Sequence, residues 1–298
     1  MAAALNSMTG FGAARGEADW GSWSVEAKSV NGKSLDVRVN TPQGFDALER
    51  FGKAEAARRF SRGNVQIGVR IEPATDSVGG TLNHDLLDSL IEGVQSRLST
   101  PHRPRPQWIA TLMTVRGVVE AETLDTRALA RQADVVTALQ HGIRDALDAL
   151  ASSRTVEGRS QADLFGRLIG EFRTTLEHSA LAAAEQPALL KARLETQLGE
   201  LGATDKVDAD RLAAEIALSA AKADVREELD RLTAHFDQAE SLVSGGSPVG
   251  RKLEFLSQEI GRESNTLCSK SASLELTNAG LALKALNDQF KEQAANVE

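Results

Sequence analysis

The chain has 298 residues, a formal net charge of −8, and an apolar fraction of 41%, but only 4% aromatic residues and no Tyr. That length holds two domains or one large one. The acidic balance excludes a protein that coats nucleic acid indiscriminately, and the scarce aromatics exclude base stacking as the main mode of strand binding. One cysteine, Cys268, rules out an intrachain disulfide and a cysteine-based zinc cluster, and fits a reducing compartment. No apolar run approaches bilayer length, and MAAALNSM lacks the basic and apolar regions of a secretory signal, so a cytoplasmic protein off the membrane is expected.

Charge is unevenly spread. Residues 1–155 carry 18 basic and 18 acidic side chains, which leaves 16 and 24 for residues 156–298. The patterning changes at about the same place. Trp23, Val25 and Ala27 alternate with polar neighbours, as do Leu35, Val37 and Val39, and Asn31-Gly32 between them predicts a type I′ hairpin. Around that turn Glu26, Lys28, Asn31 and Lys33 form either a solvent face or an edge turned to RNA. Pro42 opens a predicted helix with Phe45, Leu48 and Phe51 inward, and Val65, Ile67, Val69 and Ile71 alternate as a further strand. Residues 49–70 hold six cations, Arg62 among them, against two acids. They make phosphate contacts or merely complement a helix C-terminus.

A helix is expected over about Leu82–Leu98, then a stiff linker, TPHRPRPQ, with exposed His102, Arg103 and Arg105. A turn-like piece and a helix over about Thr126–Leu150 follow. Beyond Ser152 the pattern is helical throughout, with a stop near Pro187 and a restart through KARLETQLGEL. The predicted fold is therefore α+β: a strand-containing domain over 1–155 and a long-helix domain over 156–298.

Two helices around the SGGSPVG break concentrate polar chemistry. Asp224, Glu228, Arg231 and His235 line one face of the first, beside an apolar stripe of Val225, Leu229, Leu232 and Phe236. The second buries Leu253, Leu256, Ile260 and Leu267 and shows Glu259, Arg262, Glu263, Thr266 and Lys270 on a neighbouring face. Glu228 and His235 are about 10 Å apart along the axis, too far to bind one ion without help. Glu259 and Glu263 can complete a carboxylate site for Mg²⁺ or Mn²⁺, with Arg231, Arg262 and Lys270 on phosphate oxygens and Asn265 orienting the substrate. The same residues also pair as ordinary surface ion pairs. No P-loop, H-E-x-x-H or G-x-S-x-G string is present. Finally, Leu276, Ala279, Leu283, Leu286, Phe290, Gln293 and Val297 step by three and four as a heptad seam, either an oligomer contact or a packing face for preceding helices.

EELDRLTAHF and GRKLEFLSQEIGRESNTLCSK resemble the carboxy-terminal signature of the bacterial YicC/YloC proteins, and SMTGFGAA with EAKSVNGKSLDVRVNTP resembles their amino-terminal one. Arg154, Glu157 and Gly158 match a further string, whereas Arg116 stands where the family has proline before Gly-Val. The resemblance implies a metal-dependent endoribonuclease assembled as a homohexamer. It gives Glu228, His235, Glu259 and Glu263 the catalytic and metal-binding roles. RNA binding falls to Lys28, Asn31, Arg62, Arg231, Arg262, Asn265 and Lys270, and other RNA-decay enzymes are further candidate partners. Two different readings compete: a non-catalytic RNA-binding adaptor that delivers RNA to another ribonuclease, and a helical scaffold working through the seam.

Overall fold

The computed structural model describes residues 4–73, 81–97, 106–120, 125–202 and 208–298. Strands β1 (Gly10–Ala18), β2 (Gly21–Val30), β3 (Leu35–Asn40) and β4 (Gly63–Pro73) form one sheet in the order β1-β2-β4-β3. Alternation works as expected. Val25, Ala27, Val65, Ile67 and Val69 turn to a core, while Lys28, Gln66, Arg70 and their row-mates face outward. The predicted Asn-Gly hairpin is corrected, because β2 pairs antiparallel with β4 and β3 pairs parallel with it. Asn31 and Gly32 therefore lie in a crossing connection. The tight hairpin is β1–β2, closed by Asp19 and Trp20, with Gly21 supplying a positive φ of 139°.

Helix α1 (Asp46–Arg59) links β3 to β4 and buries Leu48 and Ala56 behind the sheet, with Phe45 just before it. A small annex follows: β5 (Thr81–Leu82) pairs with β6 (Val119–Glu120), carrying α2 (His84–Gln95) and α3 (Pro106–Leu112). His102, Arg103 and Arg105 fall outside the described residues. After α4 (Thr126–Leu129) comes α5 (Ala133–Glu200), 68 residues without a break.

That helix serves two cores. Its first half, Val135 to Leu150, packs under the sheet, and its second, Phe165 to Leu176, packs among α7 (Arg226–Gly245), α8 (Gly250–Lys270) and α9 (Leu274–Ala294), while α6 (Ala209–Lys222) also contacts α5 but adds nothing to that core. The sheet lies so close that a Cβ on Gly12 would sit 2.2 Å from the Ala146 carbonyl oxygen. The position 155/156, expected to divide two domains, falls inside α5.

Pro187 does not end the helix. Proline removes one N–H and crowds the preceding turn, yet the segment is held from both sides. Gln186 is buried, donates to the Ala223 carbonyl at 2.8 Å and accepts from the Ala272 N–H at 2.5 Å. The heptad residues Leu276, Leu283, Phe290 and Val297 are wholly buried within this one chain, on α5 and α8. They therefore supply an internal packing face.

Candidate functional site

The polar faces of α7 and α8 meet as an antiparallel hairpin, because each helix carries an apolar stripe that must be covered. Val225, Leu232 and Phe236 on α7 and Leu253, Leu256, Ile260 and Leu267 on α8 are buried in the shared core. This leaves the neighbouring polar stripes side by side along the groove between the helices. Lys270 Nζ donates to Glu228 Oε1 at 2.8 Å and to the Asp224 carbonyl oxygen at 3.1 Å. Arg231 Nη1 donates to Glu263 Oε1 at 3.2 Å, and its other nitrogen binds Glu227. The register of these two pairs sets His235, half-buried, level with the Glu259–Glu263 turn of α8.

Electrostatics along the groove are strong and local. Glu228 and Glu263 are 5% and 9% exposed, so each ion pair holds a carboxylate largely out of water. Hydrogen bonds from Arg226 pull the Asp224 carboxyl down to about 2. The guanidinium of Arg231 has its pKa raised, first by the hydrogen bond to Glu263 and then by the charge of Glu227. Two oxygens are left without a hydrogen-bond donor among the described residues, Glu228 Oε2 and Glu259 Oε1. Arg262 Nη1 stands 3.0 Å from the latter but is not aligned to donate, so that contact is one of charge alone.

Glu228 pairs near the end of α8, whereas Glu259 lies 11 residues earlier, about 16 Å along the axis. The predicted cage in which Glu228, His235, Glu259 and Glu263 share one ion therefore does not form within the chain. Among the described residues, no group of three His, Cys, Asp or Glu side chains is arranged to hold a metal ion. The donor set nonetheless fits a hard divalent cation in a looser form. A buried carboxylate oxygen without a donor is a cation acceptor, and Mg²⁺ characteristically takes one or two carboxylates with waters and substrate phosphates.

Of the other expected RNA contacts, Arg262 and Asn265 are exposed on this hairpin. Lys28 lies elsewhere, on the open face of the sheet, paired with Glu26 at 3.2 Å and set over the Phe11 ring. Asn31 donates to Asn296 in the connection after β2. Arg62 is buried and paired with Glu254 at 2.9 Å. Arg58 and Arg59 bind Glu55, Arg59 also binds Asp148, and Lys53 binds Glu49, so the cation cluster of residues 49–70 is mostly spoken for. The sheet group meets the start of α8, where Arg251 donates to the Lys33 carbonyl oxygen, about 28 Å along the helix from Lys270.

Sequence reasoning missed Glu227, Glu254 and Arg251. Glu227 stands four residues before Arg231, the spacing of a favourable helical ion pair, and so was findable. Glu254 and Arg251 act on the other core, and no local spacing announces that.

Among the described residues no helix is long and apolar enough to cross a membrane. Residues 5–162 match the family described as endoribonuclease YicC-like, N-terminal region, and residues 180–298 match endoribonuclease YicC-like, C-terminal. A protein of Haemophilus influenzae named probable endoribonuclease YicC is 30% identical over 296 residues, 99% of this chain and 100% of that protein. One of the same name from Clostridioides difficile is 25% identical over 307 residues, 98% and 99% of the two chains. With both halves matched and the groove built from residues of the C-terminal signature, this chain belongs to the YicC-like endoribonuclease family.

Proposed function

We propose that this protein is an endoribonuclease that hydrolyses phosphodiester bonds in RNA with a divalent cation, Mg²⁺ or Mn²⁺, at the α7–α8 groove. The names carried by its relatives support the activity in general. The observation that supports this location is the pair of carboxylate oxygens, on Glu228 and Glu259, that lie buried without a donor. Glu259 at one level, or Glu228 at the other, would hold the ion through its oxygen without a donor, together with waters and an RNA phosphate. Bound there, the ion would neutralise phosphate charge and lower the pKa of a water.

The side chains of the chain do the rest. Arg231 is half-exposed and bridges Glu227 and Glu263, so it can turn one edge of its fork to a phosphate while the other keeps its place. Lys270 is fixed against Glu228 and adds a point charge at the far end. His235, half-buried beside the acidic turn, is placed to exchange a proton with the attacking water. Arg262 and Asn265 orient the strand from the exposed rim. The working form on this reading is a cytoplasmic homohexamer, which would bring further copies of the groove to one RNA.

The pairing of Glu228 and Glu263 with Lys270 and Arg231 also suits an adaptor that binds RNA and leaves cutting to another enzyme. One experiment decides: purified protein on a labelled structured RNA, with EDTA, and after Mn²⁺ or Mg²⁺ is restored. Cleavage that vanishes with EDTA and returns with the ion is expected. Binding without cleavage under every ion would favour the adaptor.

A further inference from the structure

Opposite its core, the sheet turns a second face outward, with α1 and α5 packed on the inner side. One row of that outer face reads Ala13, Glu26, Gly68 and Asn40 across β1, β2, β4 and β3, and Gln66 and Arg38 stand in the row beside it. Gly68 lies inside β4, a central strand, between buried Ile67 and Val69 that point the other way. Above it is a dip of about 260 Å³, rimmed by Glu26, Arg38, Asn40 and Gln66. Glu26 and Asn40 stand about 5 Å to either side of the glycine, and Gln66 stands about 7 Å along the strand.

Nothing in the fold requires a glycine at this position. Its φ is not positive. The ladder runs past it without a bulge, pairing it with Glu26 on one side and Asn40 on the other. An added Cβ would meet nothing within 4 Å. A strand glycine forfeits packing and costs chain entropy, and the reason that remains for one is the close approach of a ligand. The rim is polar all round. Asn40, Gln66 and Arg38 are exposed. Lys28 stands 3.2 Å from Glu26, and its hydrogen bond and charge hold that carboxyl below the usual value, so the acceptor stays ionised at neutral pH.

We infer that this dip is a guanine-binding site: the base lies flat on Gly68, Glu26 accepts from its N1–H and N2–H groups, and Asn40, Gln66 and Arg38 meet its O6 and N7. Guanine is the base with two adjacent N–H donors on its Watson–Crick edge, which one carboxylate accepts together. Adenine and cytosine would set a ring nitrogen lone pair against that carboxylate, and uracil a carbonyl oxygen on either side of its single N–H. The inference rests on the ribonuclease reading only for the source of the base, namely an unpaired stretch of RNA. There it adds a preference for sequence, which contacts to phosphates do not supply.

The test uses the full chain in EDTA, so that nothing is cut. Anisotropy is read with a labelled oligoadenylate and with the same strand carrying one central guanine, and thermal unfolding is read with free GMP. Gly68→Val fills the dip. Its first added atom meets nothing in the protein and valine suits a strand, so the fold should stand. Glu26→Gln removes the charged acceptor and keeps its size. The wild type should bind the guanine strand roughly tenfold more tightly than the oligoadenylate. Both variants should lose that difference while keeping the affinity for oligoadenylate and its salt dependence. A preference lost in this way assigns the site to RNA, and stabilisation by GMP alone, lost in both variants, assigns it to a free guanine nucleotide. Equal binding of the two strands by the wild type without any GMP effect, or a preference that survives in Gly68→Val, would overturn the inference. Failure to cleave either strand with Mn²⁺ restored, while the preference persists, would count against the ribonuclease reading and leave the guanine site standing.

Discussion

Arg154 and Glu298 form an ion pair, Nη2 to Oε2 at 2.9 Å, in the junction between the two cores, with side chains 1% and 8% exposed. The pair is the hub of a larger tie. Arg154 also donates to the Ser7 carbonyl oxygen and stacks over Phe60, while Glu298 Oε1 accepts from the Ser61 N–H and hydroxyl. Desolvation weakens the hold of Arg154 on its proton, and the Glu298 charge works against that loss. The last two residues described are thus pinned to the segments just before β1 and just after α1, and to α5 and α8.

Breaking one side of this pair should therefore be expensive. Glu298→Gln or Arg154→Met leaves a buried charge uncompensated, for which about 3–5 kcal/mol is typical. The double change Arg154→Met/Glu298→Leu should recover part of that loss. Urea unfolding of the three proteins measures it. Single variants as stable as the wild type would show that the pair contributes nothing to joining the cores.

The Trp23 ring fills the gap between Gly16 on β1 and Gly142 on α5, and a Cβ at Gly142 would lie 2.2 Å from it. Gly142→Ala should therefore push the ring out and destabilise the sheet-side core by about 1–3 kcal/mol, despite the better helix propensity of alanine. A shift in tryptophan emission should accompany the lower unfolding midpoint. An unchanged spectrum with a higher midpoint would mean that the ring simply has room to move.

Much of this was legible and some was not, for physical reasons. Period-2 alternation in β2 and β4 and the stripes of α7 and α8 are local signals, and the structure follows them. The Asn-Gly turn misled because β4, more than 20 residues later, inserts between β2 and β3, and strand partners are a long-range choice. Pro187 misled because the ties that hold its turn come from Ala223 and Ala272, remote in sequence. The residues of the groove were readable as helical faces. The separation of Glu228 from Glu259 was not, because it depends on the register between two helices.

Acid should expose the contribution of Glu55. Its hydrogen bond from Arg59 holds the carboxyl below the usual glutamate value, with the charges of Arg59 and Arg58 acting the same way and burial opposing them. A depressed folded pKa stabilises fully above the unfolded value, about 4.3, and that stability is lost as pH falls through the folded one. Glu55→Gln should thus be less stable than the wild type at pH 7, with the difference shrinking below about pH 4. A difference independent of pH would assign the loss to packing instead.

The groove itself gives the sharpest separation of roles. Glu228→Gln keeps the shape of the side chain but removes the charge that both Lys270 and a divalent cation would use. His235→Ala removes the imidazole, and Glu263→Gln loosens the inner partner of Arg231. Cleavage should fall steeply in all three, by about 100-fold or more for a lost proton-transfer group, while RNA affinity in EDTA changes little, because distributed cations supply most ground-state binding. Lys270→Gln is the internal control. It strands the buried Glu228 carboxylate, so it should lower stability more than Glu228→Gln does, since a neutral glutamine is far cheaper to bury than an unpaired charge. Single-turnover cleavage measured beside thermal unfolding distinguishes these effects. Wild-type cutting rates in folded Glu228→Gln, His235→Ala and Glu263→Gln proteins would mean that the groove is a set of ion pairs and that catalysis lies elsewhere.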